Sequence, residues 1–199
     1  MASALPPERP CILILNAALA GGSGNTAVAL GRVRRLLTRR ATVAAVTLAE
    51  RYEPDLILEE LARASAVVIG TGTHWDGWSS LLQKFLEDAT PAEGTKLWLG
   101  KPAACVVTEH SVGGKAVLSR LQGVLLTLGC TLPPMSGLVL SRAALAASRA
   151  DKVAAADFWS ADDLRVICHN LIEATTGTNR WRAWPVDRTE FTARWMGEV

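Results

Sequence analysis

Cys11-Ile-Leu-Ile-Leu-Asn-Ala-Ala-Leu-Ala-Gly-Gly-Ser-Gly-Asn-Thr26 decides the fold. Its first five residues form a short apolar run, its middle is rich in glycine, and apolar residues recur at helical spacing after it up to Arg40. That order reads as buried strand, glycine-rich loop and helix, with the loop delivered to the helix N-terminus. Free backbone N–H groups and the helix dipole favour an anion there, and Ser23, Asn25 and Thr26 add neutral donors. The segment lacks the Gly-Lys-Ser/Thr ending of a triphosphate loop and the spacing of Gly-x-Gly-x-x-Gly, so a terminal phosphate is the guest it suits.

The same alternation continues outward. Thr42 to Leu48 reads as a second strand, and Pro54 opens a helix over Asp55 to Arg63. Ala66 to Gly70 is a buried Val/Ile strand, followed by the polar loop Thr71-Gly-Thr-His-Trp-Asp-Gly77 and a helix from Ser79 to Asp88. Ala103 to Thr108 is a fourth strand leaving through Glu109-His-Ser-Val-Gly-Gly114, and Lys115 to Leu128 a helix closed by Gly129. Pro133-Pro134 to Leu140 gives an irregular fifth strand ending near Ser141, and Ala150 to Ala174 one long last helix. These elements predict an α/β three-layer sandwich around a five-stranded parallel sheet in the order 2-1-3-4-5. In such a sheet the loops after strands one, three and four converge where the order reverses, and all three are rich in Gly, Ser and Thr.

Composition narrows the function. The 199 residues are 49% hydrophobic and 20% charged with a net charge of +2, which fits one globular domain and excludes a polybasic nucleic-acid binder. No stretch reaches the ~20 apolar residues that cross a bilayer, and Met1 to Pro10 has no signal-peptide pattern, so a cytoplasmic protein with no membrane partner is expected. Cys11, Cys105, Cys130 and Cys168 are scattered without Cys-x-x-Cys or a histidine at ligand spacing, giving reduced thiols and no metal site. Residues 1–176 form the domain. Residues 177–199 differ in kind, placing Trp181, Trp184, Phe191 and Trp195 among Arg180, Arg182, Arg188 and Arg194. Aromatic and arginine residues are enriched at interfaces, so this arm is expected to cross to a second subunit.

Three segments, the loop ending Ser23-Gly-Asn-Thr26, Gly70-Thr-Gly-Thr-His-Trp-Asp-Gly-Trp-Ser-Ser-Leu-Leu-Gln-Lys-Phe-Leu-Glu-Asp88, and Gly100-Lys-Pro-Ala-Ala-Cys-Val-Val-Thr108, resemble the NADPH-dependent FMN reductase family of flavodoxin-like proteins. The resemblance covers Ile12 to Leu140. It implies noncovalent FMN with its phosphate at Ser23, Asn25 and Thr26, and Ala18 as a further cofactor-binding residue. It places the flavin ring between Thr71, Gly72, Thr73, His74, Trp75 and Asp76 and the third loop, Thr108, His110, Ser111, Gly113 and Gly114. The second loop departs from the family's Thr-Pro-x-Tyr-Trp, since Gly72 and His74 stand at the Pro and Tyr positions. The first lacks the Arg or Lys often found before its Ser, leaving backbone dipoles to meet the phosphate. Leu82-Gln83-Lys84-Phe85-Leu86-Glu87 keeps the helix face of the family's Leu-Lys-x-Phe-Leu-Asp without its lysine position.

The implied activity is an oxidoreductase taking a hydride from NADPH or NADH and passing electrons to a small acceptor such as a quinone or flavin, in a homodimer or homotetramer. The cofactor performs the transfer, so no side chain is assigned as a catalytic acid or base. The alternative is a flavodoxin-like carrier without nicotinamide turnover; such carriers have a strongly acidic face, and this chain is slightly basic. His74 and Trp75 are candidates to stack on or edge the ring. Glu109 and His110 are adjacent on an extended segment and point apart, and Ser111 sits in no Gly-x-Ser-x-Gly elbow, so neither forms a hydrolytic centre. His169, beside Cys168 and Ile172, reads as structural.

Overall fold

The structure, a computed structural model, describes residues 9–150, 158–177 and 179–185. Five parallel strands form one sheet in the order β2-β1-β3-β4-β5, made of β1 (Cys11–Asn16), β2 (Thr42–Thr47), β3 (Ala66–Gly72), β4 (Ala103–Glu109) and β5 (Gly137–Ser141). The helices are α1 (Asn25–Leu37), α2 (Pro54–Arg63), α3 (Ser80–Asp88), α4 (Gly114–Leu128), α5 (Arg142–Ala150) and α6 (Leu164–Glu173).

Alternation along each strand divides the core. Leu13, Leu15, Val67, Ile69, Cys105 and Val107 face α2, α3 and α4, where Leu61, Phe85, Trp98 and Leu121 complete the packing. Ile12, Ile14, Ala66, Val68, Ala104 and Val106 face α1 and α6, against Leu30, Val33, Leu37, Leu164 and Ile167. With both faces covered, the strands carry near-continuous apolar runs, as a buried parallel sheet requires. Gly70 marks a close approach, because a Cβ there would lie 2.6 Å from Leu30 Cδ1.

The C-terminal third departs from expectation. Instead of one helix over Ala150 to Ala174, α5 begins directly after β5 and α6 begins at Leu164. The chain re-enters helix through Ser160-Ala-Asp-Asp163, where Asp162 N–H donates to Ser160 Oγ (3.1 Å) and Ser160 N–H to Asp163 Oδ2 (2.7 Å). These two bonds close a turn at Ser160 that precedes α6, whose N-cap is Asp163, so the chain here enters a new helix rather than continuing one. The fifth strand starts at Gly137 rather than Pro133, since two prolines and Met135 at φ 56° keep the preceding residues out of the ladder. Strands β3 and β4 run to Gly72 and Glu109, slightly past the expected ends at Gly70 and Thr108.

Within the arm, Trp184 Nε1 donates to Glu93 Oε1 (3.2 Å), and the indole of Trp181 covers Gly100, both on the same chain. Phe191 and Trp195 lie outside the described residues.

Candidate functional site

The reversal of strand order lies between β1 and β3, and the loops leaving β1, β3 and β4 meet there. Asn16, the last residue of β1, shapes the first loop from below. Its Nδ2 donates to Gly21 O (2.9 Å) and its Oδ1 accepts from Ala18 N–H (3.2 Å). Gly21 sits at φ 57°, a left-handed conformation natural to glycine, and opens a short 3-10 turn to Ser23. Gly24 then enters α1 in an extended conformation with no side-chain cap, so the N–H groups of its first turn face outward at the positive end of the helix.

Among the predicted cofactor-binding residues of this loop, Asn25 is exposed at the helix start and Ala18 is buried. Ser23 Oγ donates to Ala20 O (2.9 Å), which tightens the turn. Thr26 is buried, and its Oγ1 lies 2.7 Å from Thr108 Oγ1, one hydroxyl donating to the other. It braces the first loop to the third. A carboxylate also reaches the loop, with Gly22 N–H donating to Glu50 Oε1 (3.0 Å).

The second loop is tied at both ends. Ser79 N–H donates to Thr71 Oγ1 (3.1 Å), and Ser79 Oγ donates to Ala17 O while accepting from Leu82 N–H to cap α3. Between them His74 and Gly77 exchange two backbone hydrogen bonds of 2.8 Å, with Trp75 at φ 49° and Asp76 at φ 58°. Two successive positive φ values define a type I′ turn, and a tryptophan inside one is strained. Its side chain is fully exposed, touching none of the three loops' interior groups. The His74 ring folds back over Gly72, where a Cβ would lie 3.2 Å from Nε2, so a small residue at 72 accompanies the histidine at 74.

Thr71 is the fully buried polar residue of this loop, and Thr73 is half-buried. The Thr73 N–H donates to Thr108 O (2.9 Å), yet its Oγ1 is shielded from solvent without a hydrogen-bond partner among the described residues. Gly113 of the third loop, at φ 90°, leans against the same place: a Cβ there would lie 3.2 Å from Thr73 Cγ2 and 2.1 Å from Asp76 Oδ1. Arg120 completes the frame, its guanidinium over the Trp78 ring (5.4 Å) and donating to Asp76 O.

The third loop divides its residues. Thr108, Gly113 and, through Glu109 Oε2, Gly114 N–H (2.6 Å) hold the start of α4 toward the other loops. His110 turns away, with Nε2 3.0 Å from Arg142 Nη1 and its carbonyl accepting from Ala143 N–H (2.9 Å). Ser111 is exposed on that same side. The geometry therefore brings together Thr26, Thr71, Thr73, Asp76, Thr108 and Gly113, and leaves Trp75, His110 and Ser111 outside their meeting point. Asn16, Glu50, Ser79 and Arg120 are framework residues that the sequence reading did not single out. Asn16 was the most accessible of them, as the polar end of an otherwise apolar strand.

Among the described residues there is no grouping of three or more His, Cys, Asp or Glu suited to a metal, and no helix long and apolar enough to cross a membrane.

Among solved structures, RosB with a bound 8-demethyl-8-formylriboflavin-5'-phosphate intermediate is 15% identical, with a TM-score of 0.69 over 96% of this chain and 98% of that one. The apo form of the NADH:FMN oxidoreductase EmoB is 13% identical, with a TM-score of 0.64 over 83% and 89%. FerB, an NAD(P)H:(acceptor) oxidoreductase from Paracoccus denitrificans, is 20% identical, with a TM-score of 0.59 over 83% and 97%. At these identities the likeness is one of fold, and an archaeal flavodoxin shares it at a TM-score of 0.60. Curated protein sequences return no match. The family model for NADPH-dependent FMN reductases matches residues 11–144, from the first residue of β1 into α5. The chain belongs to the NADPH-dependent FMN reductase family.

Proposed function

We propose that the protein is an FMN-dependent NAD(P)H oxidoreductase that passes electrons to a small acceptor such as a quinone or a free flavin. The observation that carries this reading is Thr73 Oγ1, a hydroxyl buried without a partner between the second and third loops. A buried hydroxyl left unpaired costs about 1–3 kcal/mol, a cost removed when a ligand atom pairs with it. The uncapped first turn of α1 adds outward N–H groups of the kind that hold a phosphate, and Gly113 lets the third loop approach without a side chain in the way.

On this reading Asn25 and the first turn of α1 bind the FMN phosphate, with Ala18 and Ser23 shaping the loop below it. Thr26 keeps the first and third loops in register through Thr108. Thr71, Gly72, Thr73, His74 and Asp76 border the ring on one side, and Thr108, Gly113 and Gly114 on the other. Trp75, at the exposed tip, covers the ring only if the loop folds inward or a second subunit meets it. Bound FMN supplies the acceptance of a hydride and its onward transfer as electrons. The protein's part is to orient the partners and exclude water, so nicotinamide binding and acceptor choice rest on loop shape.

The match of residues 11–144 to the NADPH-dependent FMN reductase family supports the assignment over a carrier. The test is anaerobic addition of NADPH or NADH to the FMN-loaded protein. A reductase loses its yellow absorbance rapidly, whereas a protein that stays yellow for minutes is a carrier, and one that takes up no FMN is neither. The proposal includes a cytoplasmic setting and a homodimer or homotetramer assembled partly through residues 177–199. Light scattering on a chain ended after Gly177 checks it, and an unchanged oligomeric mass rules the arm out of assembly.

A further inference from the structure

The double glycine of the first loop is packed against a carboxylate. Leu48, just past β2, donates its N–H to Asn16 O (2.9 Å), so the chain leaving β2 is pinned to the same Asn16 that shapes the loop after β1. The N–H groups of Glu50 and Arg51 both donate to Thr47 O (3.1 and 3.0 Å), closing a turn that presents Ala49 and Glu50 to that loop. Gly22 N–H then donates to Glu50 Oε1 (3.0 Å). A Cβ at position 22 would lie 2.7 Å from this oxygen, and one at position 21 would lie 3.5 Å from both it and Ala49 Cβ. The two glycines leave the room in which the carboxylate stands.

No ion pair balances this charge among the described residues. From Asn16 to Gly31 the chain has no ionisable side chain. Arg32, the first to follow, is paired with Asp162, and Arg51, next to Glu50, is paired with Glu53 (2.5 Å). A carboxylate on a backbone N–H makes a charge-assisted bond, so one donor of the loop is already committed to an anion. A few residues on, the uncapped N–H groups of α1 attract anions. One loop thus carries both an attractor and a repeller for the same kind of group. An amide in place of the carboxylate would hold the same N–H, so the charge is the part of Glu50 that the fold does not need.

We propose that Glu50 is a specificity-determining residue of the flavin phosphate site, setting how much negative charge on its ligand the first loop accepts. Its carboxylate repels a phosphate dianion at the start of α1 and leaves the rest of the flavin unaffected. The proposal rests on the FMN reading above.

Flavin-free full-length protein titrated with FMN and with riboflavin separates charge from shape, because at about pH 8 a phosphate monoester is a dianion and riboflavin has no phosphate. Glu50→Gln keeps an oxygen for Gly22 N–H and removes the charge. At low salt it should tighten FMN about tenfold and leave riboflavin unchanged. Glu50→Lys loses the acceptor and reverses the charge, and should tighten FMN about tenfold further. A residue that only holds the loop gives the opposite order, with the lysine variant weakest for both flavins. Raising NaCl to about 0.3 M should shrink the difference between parent and Glu50→Gln several-fold, since screening acts on charge and not on loop shape. Glu50 is exposed on a turn, and thermal melts check that each variant is folded. FMN affinity that is unchanged or weaker in Glu50→Gln, or a riboflavin affinity that moves with it, overturns the role of Glu50 and leaves the FMN reading standing. Uptake of neither flavin by any form, parent included, overturns the FMN reading and this proposal with it.

Discussion

Two buried polar atoms lack partners among the described residues, and they stand at opposite ends of the sheet. Trp98 Nε1 lies in the turn before β4, at the amino end of the strands. Thr73 Oγ1 lies in the loop after β3, at their carboxyl end. Around Trp98 everything is apolar and closed: the residue is 0% exposed and its ring meets Phe85 edge to face with centroids 6.3 Å apart. Around Thr73 the chain is glycine-rich and bent through positive φ, and the residue itself is only half-buried. The same unpaired atom thus has two meanings. At the amino end an N–H is given up so that a large ring can fill the core, whereas on the proposed function the hydroxyl at the carboxyl end, where ligands of α/β sheets bind, pairs with a ligand atom.

The comparison is broken most directly at Trp98. Trp98→Ala removes the largest fully buried side chain and should cost about 3–5 kcal/mol of stability, because the surrounding core relaxes only partly into the cavity. Per folded molecule, FMN affinity should be unchanged, since the turn lies at the far end of the sheet from the loops. Urea denaturation and flavin titration on the same preparation check both halves. A large fall in affinity with intact folding would mean that the two ends are coupled and the contrast false.

The amino end also holds ionisable groups that the site does not use. Burial pushes the Cys130 thiol up to about 12, with the nearby Lys101 ammonium partly opposing it. Burial likewise raises Cys105 and, to about 12, Cys168. Each thiol has a folded pKa above its unfolded value, so its contribution is complete below about pH 9 and is lost as pH rises toward 12. Lys101, buried with its Nζ donating to Ala64 O, is shifted down and has the opposite sign: stability is gained as pH climbs toward its unfolded value. Three thiols outweigh one amine, so stability should fall above pH 9. Cys130→Ala should flatten that fall by about 1.4 kcal/mol per pH unit, measured as the slope of unfolding free energy against pH. An unaltered slope would show that Cys130 titrates in the folded state as freely as in the unfolded one.

How much of this was legible follows the same division. Strand order and the two faces of the sheet were readable because Leu13/Leu15 and Ile12/Ile14 sit in runs with no polar interruption, each bounded by a glycine-rich exit. The three loops were readable as a group because parallel strands send them to one end. Where each side chain points inside a loop was not, since a loop's side chains are aimed by tertiary contacts. His110 carries the chemistry of a ring-facing residue, yet Arg142, distant in sequence, turns it outward. Trp75 occupies a position that looks like a stacking platform, yet the turn closed by His74 and Gly77 sends it into solvent. The break between α5 and α6 had a local signal, Ser160-Ala-Asp-Asp163, that a continuous helical pattern masked.

Thr73 gives the smallest effect and the sharpest sign. Thr73→Val keeps the shape of the side chain and removes the hydroxyl that lacks a partner. In the flavin-free protein this should raise stability by up to about 1 kcal/mol, because an unpaired buried donor and acceptor is replaced by a methyl group. If a ligand atom pairs with Oγ1, the same change should weaken FMN about fivefold, the worth of one neutral hydrogen bond. Stability and affinity then move in opposite directions, as they do where a site is held at a cost to the fold. No such opposition is expected at Trp98. A valine that leaves both quantities unchanged would place Thr73 with Trp98, as an atom sacrificed to packing, and would remove the observation on which the flavin site rests.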